Sequence, residues 1–367
     1  MPVTPLPRGV IALDSTPLFQ NTQQLLRRAE AEVRLIDRAQ PLNATPEREA
    51  LISAFGAGKG RAPRFEYAAR PDLGSLRGAL HSAAQAIGGF GALGTAYAAR
   101  ALELECEAQA AECLDTAAFS EHCARRFPLE KSADGAAADA WAKRWIAAPE
   151  DAKAKLHRSD DRNDPGSLLC SLERASEVLP VRVQVRPNQV AAAAVGEGFI
   201  GVRPGLWHSR DQVKRIVLHE IDGHVRPRVL AQREELGLFR VGSAKSADDE
   251  EGRALLLERG AGVLDGSRRR ELARRHFAAR AVRLGASFQD IVSELLGLGQ
   301  DIASAVEAAC RAARGGGLAR ESVYLVSLSR VTRAFESEPE LEGYFERGRV
   351  SVEAARACQA GFGFKAS

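Results

Sequence analysis

Two histidines and a glutamate lie close together in the middle of the chain, in the stretch IVLHEIDGHVRP at residues 216–227. Imidazole nitrogens are common zinc ligands, and a neighbouring carboxylate is the residue type that takes a proton from an activated water. In the usual H-E-x-x-H helix the histidines are four residues apart, so both imidazoles face one metal. Here His219 and His224 are five residues apart, and Glu220 directly follows the first.

The five-residue spacing determines which backbone the motif needs. On an ideal α-helix five residues correspond to about 140° of rotation, which turns the two imidazoles away from each other. A single π-type turn, with hydrogen bonds from i to i+5, restores a shared face. Gly223 relaxes the backbone just before His224, and we expect Pro227 to end the helix soon after. The sequence therefore predicts a π-type turn between His219 and His224.

A hydrolytic zinc site also needs a third protein ligand and one open position for water. The stretch SADDEEGRALLL at residues 246–257 starts polar and becomes apolar, which predicts a helix with acidic residues in its first turn. Either Glu250 or Glu251 can bind metal while the other orients an imidazole. Acidic residues at a helix start also complement the helix dipole without any metal, so both interpretations stay open.

The surrounding elements predict an α+β protein that is mostly helical, with a small β-sheet just before the histidine helix. Residues 181–185 alternate between apolar and polar side chains and predict a strand, and residues 198–202 predict a second strand within reach of a hairpin. Ser209 and Gln212 have the spacing of a capping box at the start of the helix that carries His219.

Composition and charge exclude several classes of partner. The chain has 51 basic and 48 acidic residues and a net charge of +3, which is too weak a field to argue for nucleic acid or a membrane surface. No apolar run reaches the roughly 18 residues of a membrane span, and the N-terminus lacks the apolar core of a signal peptide. The six cysteines form no C-x-x-C pair, so we expect free thiols in a reducing, cytoplasmic location.

The motifs resemble those of the microtubule-associated tyrosine carboxypeptidase family and its bacterial relatives, which have an H-E-x-x-x-H motif and a downstream E-G-L-A motif. HEIDGH and EEGRA carry the resemblance, and weaker matches extend it over nearly the whole chain: PLNATPEREALISAF, GASFQDIVSEL, CRAARGG and ARESVYL. The chain departs from the family pattern where Asp222 and Gly223 replace a usual Gly-Thr, and where Arg253 replaces a usual Leu. Both differences bear on substrate choice.

The resemblance implies a zincin-like core and a specific site. In that arrangement Zn²⁺ is held by His219, His224 and Glu251, and Glu220 is the catalytic base. The family resemblance also implies removal of a C-terminal residue, which is aromatic in the family's known cases.

The same stretches are similar to the dipeptidyl-peptidases of the third type, whose motifs read H-E-x-x-G-H and E-E-C-R-A-E. That similarity agrees with Glu251 as a ligand and Glu250 as the residue that orients an imidazole. The chains of that family are much longer, and Leu255 stands where their last glutamate would be.

Three further candidates, Tyr324, Arg311 and Arg314, lie in the family-like stretch at residues 310–325. A tyrosine hydroxyl can donate to an oxyanion, and an arginine can bind a C-terminal carboxylate through two parallel hydrogen bonds. A structural tyrosine and surface arginines fit the sequence equally well.

The resulting hypothesis is a zinc metallopeptidase, specifically a metallocarboxypeptidase acting on a peptide or protein C-terminus. We expect the chain to have a helical N-terminal region at residues 1–165 and a zinc metallopeptidase catalytic region at residues 166–367. One alternative is a dipeptidyl-peptidase or endopeptidase acting on a small peptide. Another is a non-catalytic zinc-binding regulatory protein, which four protein ligands and no open position would favour.

Overall fold

The structure, a computed structural model, describes residues 6–149, 154–187, 189–196 and 198–363. Its first part is helical, and amphipathic helices here bury their apolar faces against one another. These helices are α1 (Arg8–Asp14), α2 (Pro17–Val33), α3 (Leu35–Arg38), α4 (Ala44–Gly56), α5 (Gly74–Ile87), α6 (Gly91–Glu112), α7 (Ala117–Arg126) and α8 (Ala133–Trp145).

Short strands and one helix follow: β1 (Leu156–Arg158), α9 (Leu168–Ala175), β2 (Arg182–Val185), β3 (Ala193–Gly196), β4 (Phe199–Val202) and β5 (Trp207–Ser209). Strands β1 and β5 form a two-stranded antiparallel sheet, and the second sheet has the order β2-β4-β3. The predicted α+β class, mostly helical with a small sheet before the motif helix, is confirmed. The zincin-like core stays a prediction.

The predicted hairpin is wrong in its pairing. The strands expected at residues 181–185 and 198–202 are present as β2 and β4, but they run parallel, with Arg182 opposite Phe199. Strand β4 instead pairs antiparallel with β3, which precedes it directly. Strand β3 reads Ala-Ala-Val-Gly, and alanine and glycine are depleted in strands, so the sequence carries no strong signal for it.

The rest of the described chain is helical. In order, it contains α10 (Arg210–Leu218), a π-helix (His219–Val225), α11 (Arg226–Ala231), α12 (Gly237–Val241), α13 (Ser246–Gly260), α14 (Gly266–Arg283), α15 (Phe288–Gly297), α16 (Ile302–Gly317), a 3₁₀ helix (Arg320–Ser322), α17 (Val323–Ser337), α18 (Leu341–Arg347), α19 (Val352–Gln359) and a second 3₁₀ helix (Gly361–Gly363).

The sheet β2-β4-β3 has its own small hydrophobic core, which it shares with α9, α10 and the π-helix. Ile200 of β4, Val213 of α10 and Ile221 of the π-helix are buried in it. The largest core runs from Val10 to Phe362 and so draws on both predicted regions. The boundary between residues 165 and 166 stays a prediction.

Two smaller sequence expectations concern membranes and thiols. None of the described helices is both long and apolar enough to cross a bilayer. All six cysteines are free, as expected from their spacing. The cytoplasmic location stays a prediction.

Candidate active site

The helix that carries the first histidine is fixed at its start by its own sequence. The Ser209 hydroxyl accepts a hydrogen bond from the backbone N–H of Gln212 at 3.2 Å, and the Gln212 side chain accepts one from the backbone N–H of Ser209 at 2.9 Å. This reciprocal pair satisfies two donors at the helix end and confirms the predicted capping box. Helix α10 then packs on the sheet core through Val213 and Ile216.

At His219 the backbone changes from an α-helix to a π-helix, which spans His219–Val225. The predicted π-type turn is therefore confirmed. The expectation that Pro227 ends the helix is wrong, because Pro227 lies in the first turn of α11, which continues directly to Ala231. It brings the rings of His219 and His224 to a centroid distance of 5.0 Å, with 67° between their planes. Gly223 is needed for the packing of this turn, because a Cβ added there would lie 2.7 Å from the Cβ of Ala254 on α13.

Helix α13 lies between the π-helix and α17 and carries the two candidate glutamates. It approaches α17 very closely at Gly252, where an added Cβ would lie 2.4 Å from the carbonyl oxygen of Ser327. Even an alanine there would force backbone to move. The position of α13 relative to α17 is thus fixed, with Glu250 and Glu251 buried beside the histidines.

Three ligand atoms converge between these elements. One atom each from His219, His224 and Glu251 lies within 4.8 Å of the others, and all three residues are buried. Oε2 of Glu251 is 3.3 Å from Nε2 of His219 and 3.7 Å from Nε2 of His224. Among the described residues this buried oxygen accepts no hydrogen bond. Two imidazole nitrogens and one carboxylate oxygen, facing one point, are a donor set that fits zinc.

The second histidine is oriented by Glu250. Nδ1 of His224 lies 2.7 Å from Oε1 of Glu250, and Arg228 approaches the same oxygen at 3.3 Å. Burial opposes ionisation of Glu250, but the charges of Arg228 and His224 outweigh it and lower the pKa of Glu250 to about 2. When His224 is neutral, an ionised Glu250 favours the tautomer with the proton on Nδ1, which leaves Nε2, the atom facing Glu251, free to bind a metal.

The first histidine is oriented by Glu258. Nδ1 of His219 lies 2.8 Å from Oε1 of Glu258. Arg268 donates one hydrogen bond to each oxygen of the same carboxylate. Burial opposes ionisation of Glu258, but Arg268 and His219 outweigh it and lower the pKa of Glu258 to about 2. Burial also disfavours the charged form of His219, yet Glu251 and Glu258 outweigh it and raise the pKa of His219 to about 9. The site therefore attracts positive charge.

Sequence reasoning did not single out Glu258. It lies seven residues after Glu251, which is two turns along the same face of α13. The sequence signal for it was weak: Glu258 is a carboxylate that follows the apolar run Leu255–Leu257. The similar dipeptidyl-peptidases have the last glutamate of their motif three residues earlier, at the position of Leu255. Glu258 is fully buried, with 0% of its surface exposed.

The remaining candidates line a cleft of about 1570 Å³ that opens beside the cluster. Glu220 and Tyr324 are buried on its wall. Arg311 and Arg314 also line the cleft, but both face Glu321, with nitrogen–oxygen distances of 3.5 and 3.4 Å. The arginines expected to meet a substrate carboxylate thus already share one carboxylate of the chain.

A buried cluster of ionisable groups at the wall of a large cleft defines an enzyme-like site. A protein-family model described as "Microtubule-associated tyrosine carboxypeptidase" matches residues 54–359, which is most of the chain. The chain therefore belongs to the microtubule-associated tyrosine carboxypeptidase family, as its motifs suggested. This family is a carboxypeptidase family, which implies a peptide or protein substrate. Searches of curated proteins and of solved structures gave no match.

Proposed function

We propose that this chain is a zinc-dependent carboxypeptidase that removes the C-terminal residue of a peptide or protein. The observation that carries the proposal is the convergence of His219, His224 and Glu251 on one point, with their ligand atoms within 4.8 Å of one another. Three protein donors leave one coordination position for water or substrate, which is typical of catalytic zinc.

The chain's own residues divide the remaining chemistry. Zinc, when bound, supplies Lewis acidity towards water and the scissile carbonyl. Glu220 is the proposed general base, which takes a proton from the attacking water and passes it to the leaving amine. Tyr324 is the proposed donor to the oxyanion. Both side chains line the cleft.

Substrate binding is proposed to use the free edge of β3 and the arginines of the cleft. Residues 191–196 line the cleft, and within the part of the chain that the structure describes β3 has a neighbouring strand, β4, on one side only, so an extended peptide can add to the other side. A buried α-carboxylate needs a paired cation. Arg311 and Arg314 share the single carboxylate of Glu321, so one positive charge is left for the substrate.

The alternatives differ in the number of ligands and in the products. A structural zinc site has four closed protein ligands, whereas the donor cluster of the described residues has three members. This supports an enzyme over a non-catalytic regulatory protein. A dipeptidyl-peptidase or endopeptidase would release dipeptides or internal fragments, and the masses of products from a C-terminally diverse peptide library would identify it.

The first test joins metal content to turnover. Purified protein should hold about one zinc per chain, and Glu220→Gln should keep that zinc while turnover falls about 100-fold or more, because a general base is lost. Glu294→Gln is the matched control, since it makes the same substitution at an exposed glutamate of α15 that does not line the cleft.

Elemental analysis and single-turnover kinetics give the readouts. If protein purified under metal-replete conditions contains no zinc, the proposal is wrong. Near-normal turnover in Glu220→Gln would show that Glu220 is not the general base. The Glu294→Gln control should retain both zinc and turnover.

The second test concerns the substrate carboxylate. Amidation of the peptide's C-terminus should remove most of the activity, because it deletes the charge and keeps the side chain. Arg311→Ala and Arg314→Ala should slow cleavage of the free acid much more than that of the amide, which serves as the internal control. Equal cleavage of both peptides by the wild type would favour an endopeptidase or an amino-end dipeptidase.

A further inference from the structure

The two oxygens of Glu251 have different surroundings. Oε2 faces the Nε2 atoms of His219 and His224, at 3.3 and 3.7 Å. Oε1 accepts a hydrogen bond of 2.9 Å from the guanidinium of Arg320. The carboxylate is therefore held with one oxygen towards the histidines and the other turned away from them.

Arg320 reaches a second group in the same cleft. Its other terminal nitrogen donates to the hydroxyl oxygen of Tyr324 at 3.1 Å, and its guanidinium carbon lies 5.6 Å from the centre of the tyrosine ring. A hydroxyl that accepts a hydrogen bond from an arginine keeps its own proton free to donate elsewhere. Arg320 thus connects Glu251 to Tyr324, 69 positions after the former and four before the latter.

We propose that Arg320 is the positioning residue of this site: it restricts Glu251 to binding metal through one oxygen and directs the Tyr324 proton into the cleft. The inference rests on the proposed zinc function. A carboxylate that bound through both oxygens would fill the coordination position that water or substrate requires. Arg320 prevents this by occupying Oε1.

Orientation of Glu251 and Tyr324 explains the presence of Arg320 better than an effect on metal affinity does. A fixed positive charge beside a metal site opposes binding of a cation, so Arg320 has an electrostatic cost for metal affinity. The planar fork of arginine can donate to two acceptors at once from a fixed geometry, which a lysine ammonium on a flexible stem cannot reproduce. Charge and geometry can therefore be separated by substitution.

The test uses the full chain with Co²⁺ in place of zinc, because four-coordinate Co²⁺ absorbs visible light more strongly than five- or six-coordinate Co²⁺. Arg320→Met removes both hydrogen bonds, and Arg320→Lys keeps the charge without the fork. Arg275→Met is the matched control: the guanidinium of Arg275 also lies over the Tyr324 ring, at 5.9 Å, but pairs with Glu271.

Wild type and Arg275→Met should give the strong bands of four-coordinate Co²⁺, and both Arg320 variants should give weaker bands. In the zinc forms, kcat of Arg320→Met should fall about 10- to 100-fold, as is typical when a group that orients a ligand is lost. Arg320→Lys should restore less than full turnover.

The outcomes separate the two ideas. A four-coordinate spectrum in Arg320→Lys equal to that of the wild type, with unchanged kcat, overturns the positioning role alone. Wild-type protein that takes up no Co²⁺ or Zn²⁺ overturns the proposed function itself. If Arg320→Met does not fold, as judged by circular dichroism, Arg320→Lys carries the same comparison.

Discussion

The two histidines of the cluster have the same hydrogen-bonding chemistry but different surroundings. His219 is oriented by Glu258, which is 0% exposed and bound to Arg268 by two hydrogen bonds of 3.2 Å. His224 is oriented by Glu250, whose nearby cation, Arg228, has a side chain that is 34% exposed at the cleft wall.

The difference shows how one site combines rigidity with access. On the His219 side, a buried ion pair between Glu258 of α13 and Arg268 of α14 fixes the imidazole, and removing Glu258 would leave the buried Arg268 with Glu271 alone. On the His224 side, the cation keeps contact with water, so the same hydrogen bond carries a smaller penalty when broken. We therefore expect the His219 side to carry the stability of the cluster.

The largest expected effect distinguishes the proposed zinc ligand, Glu251, from its neighbour Glu250. Glu251→Ala should reduce zinc affinity by more than about 100-fold, whereas Glu250→Ala, which removes an orienting carboxylate, should cost about 10- to 100-fold. The two variants differ by one position on α13, so they control for each other. Competition with a chelator measures both, and the reverse ranking would exchange their roles.

The next effect compares the two orienting carboxylates directly. Glu258→Ala should destabilise the metal-free protein by about 3 kcal/mol, because the buried Arg268 keeps only Glu271 and Arg215 loses the carboxylate that it faces. Glu250→Ala should cost about 1–3 kcal/mol, since Arg228 can turn to water. Urea unfolding gives both values, and equal costs would contradict the expected difference in stability between the His219 and His224 sides.

The smallest effect concerns Glu30, which lines the cleft, and it depends on pH. Burial opposes ionisation of Glu30, but the charges of Arg349 and Arg100 outweigh it and lower the pKa of Glu30 to about 2. A lowered folded-state pKa contributes stability above the unfolded value of 4.5, and this contribution is lost as pH falls towards about 2. The side chain is 39% exposed, so the contribution is about 1 kcal/mol or less.

Glu30→Gln should therefore be slightly less stable than the wild type near neutral pH, and the gap should narrow as pH falls below 4.5. Paired thermal unfolding curves across that range provide the measurement. A gap that widens in acid would mean that Glu30 is not held ionised by its arginines.

Local sequence determined much of the site. The spacing of His219 and His224 required a π-type turn, because five residues on an α-helix do not share a face, and the turn is present. The capping box at Ser209 and the acidic start of α13 defined the two helices that meet there. Each of these features depends on residues within a few positions of one another, so a linear pattern can reveal it.

Only the tertiary structure determined which long-range partners complete the site. His219 meets Glu258 across 39 positions, and Glu251 meets Arg320 across 69. The sequence singled out Arg311 and Arg314 but not Glu321, the carboxylate that they share. It also gave no strong signal for β3, which follows β2 in the sequence but lies at the edge of the sheet beside β4. A buried ion pair leaves no periodic pattern in the sequence, because it depends on which helices pack together and how closely. The close contacts at Gly223 and Gly252 fix how closely α13 approaches the π-helix and α17.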